Sequence, residues 1–321
     1  MSGRGARGAR GARALLRDAH RLIWSVRIGR CGMVARAAAR TLRRVAPIRG
    51  IAPLTNIVLG APRPGSAPVP VLARVGGVEF ALDLHESLHR AVYLDLFSLE
   101  LRRVVLPLLR PGELFVDAGS NFGFWALLAA KRGCRVIAVE PVPPTVARLE
   151  DNARRNGLDG AIEVVGAALS AEAGSLTLTL GGGESGQASA HPAANAEAET
   201  FVVPAVTLDS LLGEQSVRFL KIDVEGHEPA LLRGGDRVLG GGQVDFLLIE
   251  LSGGVIGRSG GSAAELIEFL EARGYSFVRF IRANEGLAPR RSYRHPSLEE
   301  LRLGGHAGDA LWVHAAAARR A

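Results

Sequence analysis

The stretch Phe219-Leu-Lys-Ile-Asp-Val-Glu-Gly-His-Glu228 puts four titratable side chains, Asp223, Glu225, His227 and Glu228, within six residues. Its apolar first half reads as a buried strand, and Lys221 and Asp223 inside such a strand are expensive unless paired or set at a crevice. Helix capping accounts for Glu225 or Glu228 but not for all four together. Carboxylates and an imidazole at a strand's carboxyl end are groups that can take a proton from a hydroxyl. His227 is the first choice of base because imidazole titrates nearest neutrality. Asp223 either serves in its place or orients an acceptor, and Glu225 is grouped with them as a catalytic candidate. Lys221 is expected to be structural, paired with Asp223 or Glu250. Asp223, Glu225 and Glu250 would make a reasonable oxygen set for a divalent ion, although spacing alone defines no metal centre and none is expected.

A second stretch, Glu113 to Glu140, supplies a binding element. The apolar run Leu114–Val116 ending in Asp117 reads as a parallel strand buried on both faces. Gly119-Ser-Asn-Phe-Gly123 then makes a tight turn in which Gly, and less readily Asn, takes positive φ. A helix over Phe122 to Arg132, closed by Gly133, and a strand over Arg135 to Val139 ending in Glu140 complete a β-turn-α-β unit. A glycine turn at a helix start followed by an acid for a ribose diol suits NAD and S-adenosylmethionine (AdoMet) alike. Gly119-x-Asn121-x-Gly123 is not the G-x-G-x-x-G that presents a helix N-terminus to pyrophosphate, and Phe122 crowds that space. AdoMet carries no phosphate and tolerates the crowding. The same residues could also serve only to make the turn.

Further elements must carry these two stretches. A helix is expected from Pro144 to Asn156, stopped by Gly157, and a strand from Ile162 to Val165. The small residues Gly166-Ala167-Ala168 after that strand leave room for a flat ring against Val142. Residues 174–206 read as an inserted hairpin with strands near 176–180 and 200–206, its Ser185, Gly186, Gln187 and Ser189 tip open to a substrate contact or to none. A helix from Glu228 to Leu239 and a strand from Asp245 to Leu251, with Glu250 beside Asp223, follow. Ser262-x-x-Glu265 is a capping box, and Tyr275–Ile281 with Ala310–His314 form a final strand pair around a short turn or helix at Pro296–Arg302. Upstream, Val71 to Leu84 suggests two strands turning at Gly76-Gly77, and Ser98 to Leu109 a helix.

Composition sets the frame. A 321-residue chain that is 47% hydrophobic and 22% charged can bury a sizeable core. Its two cysteines, Cys31 and Cys134, argue against a disulfide framework and for a reducing compartment. Of the net charge of +7, residues 1–50 supply about +12 through thirteen Arg against Asp18, which leaves 7 − 12 = −5 on the rest. No nucleic-acid groove is therefore expected within the fold. With two Lys against 37 Arg, arginine richness is partly a habit of the whole chain. Residues 14–45 show amphipathic helical spacing with arginines between, read either as a helix docking on the core or as a peripheral contact with anionic lipid. No eighteen-residue apolar run is present, so neither a membrane span nor a secretory signal is supported. The expected layout is a basic, partly disordered helical extension (1–50), a Pro-rich linker (51–70), a substrate-side strand and helix subdomain (71–110) and a cofactor-binding domain (111–321), placed in the cytoplasm.

Two literal motif matches fail on context. His85-Glu-Ser-Leu-His89 spells the H-E-x-x-H zinc pair, but Val92 and Asp95 stand where the metzincin extension needs Gly and His, so surface or capping histidines are expected. Gly181-Gly-Gly-Glu-Ser-Gly186 is followed by no helix and reads as a hairpin loop.

Asp117-x-Gly119-x-Asn121-x-Gly123, Glu140-Pro141, Thr207-Leu-Asp-Ser-Leu-Leu212 and Leu220-Lys-Ile-Asp-Val-Glu-Gly-His-Glu228 occur in order, and with them the chain resembles the FkbM family of AdoMet-dependent methyltransferases over roughly residues 78–251. The resemblance implies an α/β class I methyltransferase fold: a Rossmann-like, seven-stranded, mostly parallel sheet with helices on both faces. It implies AdoMet as cofactor and a hydroxyl of a sugar, glycolipid or secondary metabolite as acceptor. Asp117, Gly119, Asn121 and Gly123 would hold the methionine end, Glu140 the ribose hydroxyls, and Pro141 with Ala167 would flank adenine. Ala118, Ser120 and the bulky Phe122 are mild departures from the family pattern. The competing reading is a non-catalytic module of the same fold recruited by the basic arm. No Asn/Asp-Pro-Pro-Tyr/Phe run follows the fourth strand to stack a flipped base, which disfavours a nucleic-acid methyltransferase.

Overall fold

The computed structural model describes residues 68–180, 188–190, 199–252, 261–282, 296–304 and 306–319, together with positions 37–38, 55–56, 58–59 and 256. The expected amphipathic extension with its membrane contact at 14–45, most of the linker, and the loop holding Ser185, Gly186 and Gln187 lie outside the described residues.

The strands are β1 (Pro70–Val75), β2 (Val78–Asp83), β3 (Leu114–Ala118), β4 (Arg135–Val139), β5 (Ile162–Val165), β6 (Ala168–Leu169), β7 (Gly174–Leu180), β8 (Ala188–Ser189), β9 (Thr200–Val206), β10 (Val217–Ile222), β11 (Val244–Ser252), β12 (Tyr275–Arg282) and β13 (Ala307–His314). The helices are α1 (Ser87–Tyr93), α2 (Leu99–Val105, continued by a 3-10 turn at Leu106–Leu108), α3 (Phe124–Lys131), α4 (Pro143–Arg155), α5 (Leu208–Leu212), α6 (Glu228–Arg233), α7 (Asp236–Gly240), α8 (Ala263–Ala272) and α9 (Leu298–Arg302). The main sheet has seven strands in the order β12-β13-β11-β10-β3-β4-β5. β5, β4, β3, β10 and β11 run parallel, and β13 lies antiparallel between β11 and β12.

Alternation along the strands divides the core in two. Leu114, Val116 and Ala118 of β3 face one cluster with Leu220, Ile222, Leu247 and Ile249, while Phe115 faces the other with Phe219, Leu248 and Leu311. Both faces of β3 are thus covered, which is why its sequence is a continuous apolar run. On the Phe115 side lies α3, whose residues are all buried except Lys131, under a lid formed by the β1–β2 hairpin and α1. Phe124 stacks on Phe80 and meets Phe97 edge-on. Residues 71–110, expected as a separate subdomain, therefore share one core with the sheet. Within the expected linker, Thr55 and Val58 are buried, and Arg90 donates to the Thr55 carbonyl and to Asn56 Oδ1.

Helix α4 faces inward with Thr145, Leu149, Asn152 and Ala153. Its two asparagines close the edge of β2. Asn156 Oδ1 accepts from Glu79 N at 2.8 Å while its Nδ2 donates to the Glu79 carbonyl, and Asn152 Oδ1 accepts from Ala81 N at 2.8 Å. An edge satisfied in this way offers no template for another chain. The inserted strands form a second sheet, β6-β9-β7-β8, with β7 and β9 antiparallel as expected of a hairpin. The Ser262 and Glu265 capping box forms with both of its reciprocal bonds.

The single helix expected from Glu228 to Leu239 is instead two. At Gly234 an added Cβ would lie 2.0 Å from the Ser170 carbonyl oxygen, and at Gly235 one would lie 2.7 Å from Leu208. The chain bends where β6 and α5 press on it, so α6 stops at Arg233 and α7 begins at Asp236. Helix α5 is capped by Thr207, whose side chain accepts from Ser210 N.

Candidate functional site

Strand β3 delivers Asp117 and the turn after it, and β10 delivers Lys221 and Asp223 beside them. The register pairs Lys221 with Asp117 and Ile222 with Ala118, and Asp223 N donates to the Ala118 carbonyl at 3.0 Å. Glycine at 119 is required by this junction. Its φ is +80°, and an added Cβ would lie 1.8 Å from the Asp223 carbonyl oxygen. One close backbone approach at this position is therefore made by the chain's own β10. Asn121 (φ +49°) and Gly123 (φ +90°) also take left-handed geometry, free for the glycine but held at Asn121 by surrounding contacts.

Those contacts converge on Glu140. Its Oε2 accepts from Asn121 N at 2.9 Å and its Oε1 from Val142 N at 3.0 Å. Burial pushes this carboxyl up to about 7, against the pull of the Val142 and Asn121 amides. Asn121 Oδ1 in turn accepts from Phe122 N. Phe122, expected to crowd the crevice, is fully buried in the lid core, edge-on to His89 and Phe80. Ala167 is buried and Pro141 half-buried beside Glu140. Val142, expected against the ring, is buried in a cluster with Ala168, Leu178, Leu180 and Val203.

Asp117 is 1% exposed. Its Oδ2 accepts from Ala126 N at 3.0 Å, so it fills the N-terminus of α3, the place where a dinucleotide's pyrophosphate would sit. Its Oδ1 has no hydrogen bond among the described residues and lies 3.7 Å from Lys221 Nζ. Lys221 donates to Asp223 Oδ2 at 3.0 Å, so its partners are Asp223 and Asp117, and Glu250 is not one of them. Burial alone would lower the Lys221 ammonium, yet Asp223 and then Asp117 hold it above its usual range. Burial pushes Asp117 up to about 6, restrained by Lys221 and helped by Asp223.

A row of acids continues along the same face. Ile222 pairs with Ile249, which brings Glu250 next to Asp223, and Glu250 pairs with Asp309 across β11 and β13. Burial, then Asp223 and Asp309, push Glu250 up to about 10, and burial with Asp223 pushes Asp309 to about 7. Asp309 was missed in the sequence, where it is one acid in the otherwise apolar run Ala307–His314; its facing Glu250 is a property of pairing. No three His, Cys, Asp or Glu side chains among the described residues are grouped to hold a metal ion.

Because Glu250 keeps its proton in the folded chain but not in the unfolded one, the native state binds more protons between about pH 4.5 and 10, and stability must fall as pH rises through that window. Glu250→Gln is expected to flatten this slope and to be more stable than wild type at pH 9 by on the order of 1 kcal/mol. Thermal melts at pH 6 and pH 9 test this, and parallel shifts in the two proteins would contradict it.

The loop after β10 is organised by Glu228, which is 2% exposed and whose Oε1 accepts from both Val224 N and Gly226 N at 3.2 Å. Its bonds go back to the loop and do not cap α6. Glu225 adopts φ +51°, and its carbonyl accepts from Ser189 Oγ of the inserted sheet at 3.1 Å. His227 starts α6 and lies with Nε2 3.0 Å from Ser170 Oγ. The loop is thus held by two serines, Ser189 of the insertion and Ser170 just after β6.

His89 was expected on the surface or in a cap and is neither. It is fully buried, its Nδ1 accepts from Asp83 N, and Glu86 and Arg148 flank it. Burial pushes it down to about 4. The H-E-x-x-H spelling marks a core histidine.

Six strands running one way with the reversed β13 inserted between β11 and β12, and with a glycine turn and a cluster of acids at the carboxyl ends of β3, β4 and β10, define the class I methyltransferase fold within the Rossmann-like α/β proteins. Residues 117–277 match the family described as the Methyltransferase FkbM domain. The chain belongs to this family. Among solved structures, methyltransferase FkbM from Methylobacillus flagellatus KT is 15% identical with a TM-score of 0.41, the match covering 70% of this chain and 54% of that one. A putative methyltransferase from Streptococcus mutans in complex with SAH is 7% identical with a TM-score of 0.40, covering 67% and 95%. The 23S rRNA (uracil(1939)-C(5))-methyltransferase RlmD of Azoarcus sp. (strain BH72) is 38% identical over 87 residues, which span 26% of this chain and 20% of that protein. The match thus spans about a fifth of that curated relative. No helix among the described residues is long and apolar enough to cross a membrane.

Proposed function

We propose that this methyltransferase uses AdoMet to methylate a hydroxyl of a sugar, glycolipid or secondary metabolite, and that it works in the cytoplasm, with residues 14–45 available for peripheral contact with a membrane and no nucleic acid as partner. The observation that carries the reading is the junction of β3 and β10, which sets the Gly119–Gly123 turn and Glu140 beside Asp117, Lys221 and Asp223.

The residues present fit AdoMet better than a dinucleotide. The amide of α3 that a phosphate would need is taken by Asp117, while carboxylates suit a cofactor bearing a sulfonium and an amino group. Each oxygen of Glu140 accepts one backbone amide and keeps a lone pair for a ribose hydroxyl. Asp117, Gly119, Asn121 and Gly123 would hold the methionine end, and Pro141 and Ala167 the adenine. When bound, AdoMet supplies an activated methyl group. The chain's part is to align an acceptor, exclude water and receive the acceptor's proton. His227 is the proposed base, with Asp223 as the alternative and Glu225 beside them. If so, His227→Ala lowers turnover by about 10²-fold or more while binding of S-adenosylhomocysteine (SAH) is unchanged. Turnover unaffected by both His227→Ala and Asp223→Asn would remove both residues as the base, whereas SAH binding with no turnover on any acceptor would favour a non-catalytic module instead.

Glu140 gives a pH signature. Its ionised form accepts the two ribose hydroxyls, and its carboxyl titrates near 7, so SAH affinity is expected to rise from pH 6 to pH 8 and then level off. Glu140→Gln should bind weakly and without that rise. Calorimetric titrations at three pH values decide it, and a wild-type affinity that is flat or falling contradicts the ribose role.

A further inference from the structure

We propose that Asn152 is a positioning residue for the cofactor turn, holding Phe122 from the far side so that the lid and the Gly119–Gly123 backbone behave as one unit. The inference rests on the cofactor reading above.

Phe122 sits in the turn between Asn121 (φ +49°) and Gly123 (φ +90°), and the left-handed geometry of the non-glycine Asn121 persists only when its surroundings over-determine it. On the Glu140 side the turn is held through Asn121 N. On the opposite side the Phe122 carbonyl accepts from Asn152 Nδ2 at 3.0 Å. The same amide's Oδ1 accepts from Ala81 N of β2 at 2.8 Å, and Asn152 is fully buried. One side chain therefore ties the turn to the lid strand, and the Phe122 ring is seated against His89 and Phe80 of the same lid. Removing the amide leaves a carbonyl and a β2 amide without their partners, and the Phe122 carbonyl is then free to swing and carry Asn121 with it. Asn156, one helical turn on, bonds the same strand through Glu79 and donates to the Asn152 backbone carbonyl at 2.8 Å, but makes no bond to Phe122, which makes it a control for loss of the β2 contact alone.

The test measures SAH binding by calorimetry at 15 °C together with melting temperature for wild type, Asn152→Ala, Asn152→Asp and Asn156→Ala. Asn152→Asp keeps an acceptor for Ala81 N and removes the donor to Phe122. Both position-152 variants are expected to weaken SAH by about tenfold, the loss of one buried hydrogen bond, whereas Asn156→Ala lowers the melting temperature and leaves affinity unchanged. Equal affinity in all four proteins, or an equal loss in Asn156→Ala, overturns the proposal. Amide exchange at Asn121–Gly123 gives a ligand-free reading: it accelerates in Asn152→Asp and not in Asn156→Ala if the proposal holds, and is unchanged in both if it does not. A wild type that binds no SAH removes the cofactor reading, and the exchange contrast still decides whether Asn152 holds the turn.

Discussion

Gly119→Ala is expected to lose about 4 kcal/mol or more of stability, in the range reserved for changes that break a junction in the core. Two effects add. A left-handed φ of +80° costs an L-residue roughly 1–2 kcal/mol. The added methyl would also stand 1.8 Å from the Asp223 carbonyl, a backbone atom of the neighbouring strand that can yield only if β3 and β10 part. Gly157→Ala isolates the first effect, since Gly157 has φ +62° and nothing within 4 Å of an added Cβ; it should lose only about 1 kcal/mol. Urea unfolding of the two variants decides the matter. Similar losses would mean that the β3–β10 junction tolerates displacement and is not the rigid seat described above.

The second large effect belongs to Lys221→Met. Lys221 is 4% exposed, and Asp117, 3.7 Å away, is 1% exposed. Truncating one member of a buried pair leaves the other charge uncompensated, a loss of about 3–5 kcal/mol. The loss must depend on pH in a defined direction. Asp117 already titrates near 6, and without the ammonium its folded value rises further above the unfolded one. The variant's stability is then greatest at low pH and falls as pH rises through that value. Lys221→Met is therefore expected to be much closer to wild type at pH 5 than at pH 8, and adding Asp117→Asn should recover much of the deficit at pH 8. A small loss that does not change with pH would show that Lys221 and Asp117 are not energetically coupled.

The β-turn-α-β unit was legible because its signals are local: an apolar run buried on both faces, a Gly and Asn turn, and Gly133 closing the helix. The pairing of Glu250 with the β10 acids followed from strand order alone. The sequence pointed to Asp117 and Glu140 but not to their bonds, because Asp117 reaching Ala126 N and Glu140 reaching Asn121 N depend on how the turn folds back. Gly119 was legible as a turn glycine, but not the backbone from 104 residues downstream, Asp223, that presses on it, because no local pattern records that. The break at Gly234-Gly235 was missed for the same reason, since helical periodicity continues across it while Ser170 and Leu208 forbid a straight path. Asn152 and Asn156 carried a usable signal, two amides four residues apart on the inward face of an amphipathic helix, where polar side chains need partners. The burial of His89 was not legible because nothing near the motif announces that α1 closes over Phe122 with the β1–β2 hairpin.

The central claim is that the crevice at β3, β4 and β10 receives AdoMet. Calorimetry of the wild-type chain and Glu140→Ala against SAH and against NAD tests it most directly. Saturable binding of one SAH per chain, weakened in Glu140→Ala, with no heat from NAD, is the expected result. Binding of NAD in place of SAH, or SAH binding indifferent to Glu140→Ala, would contradict it.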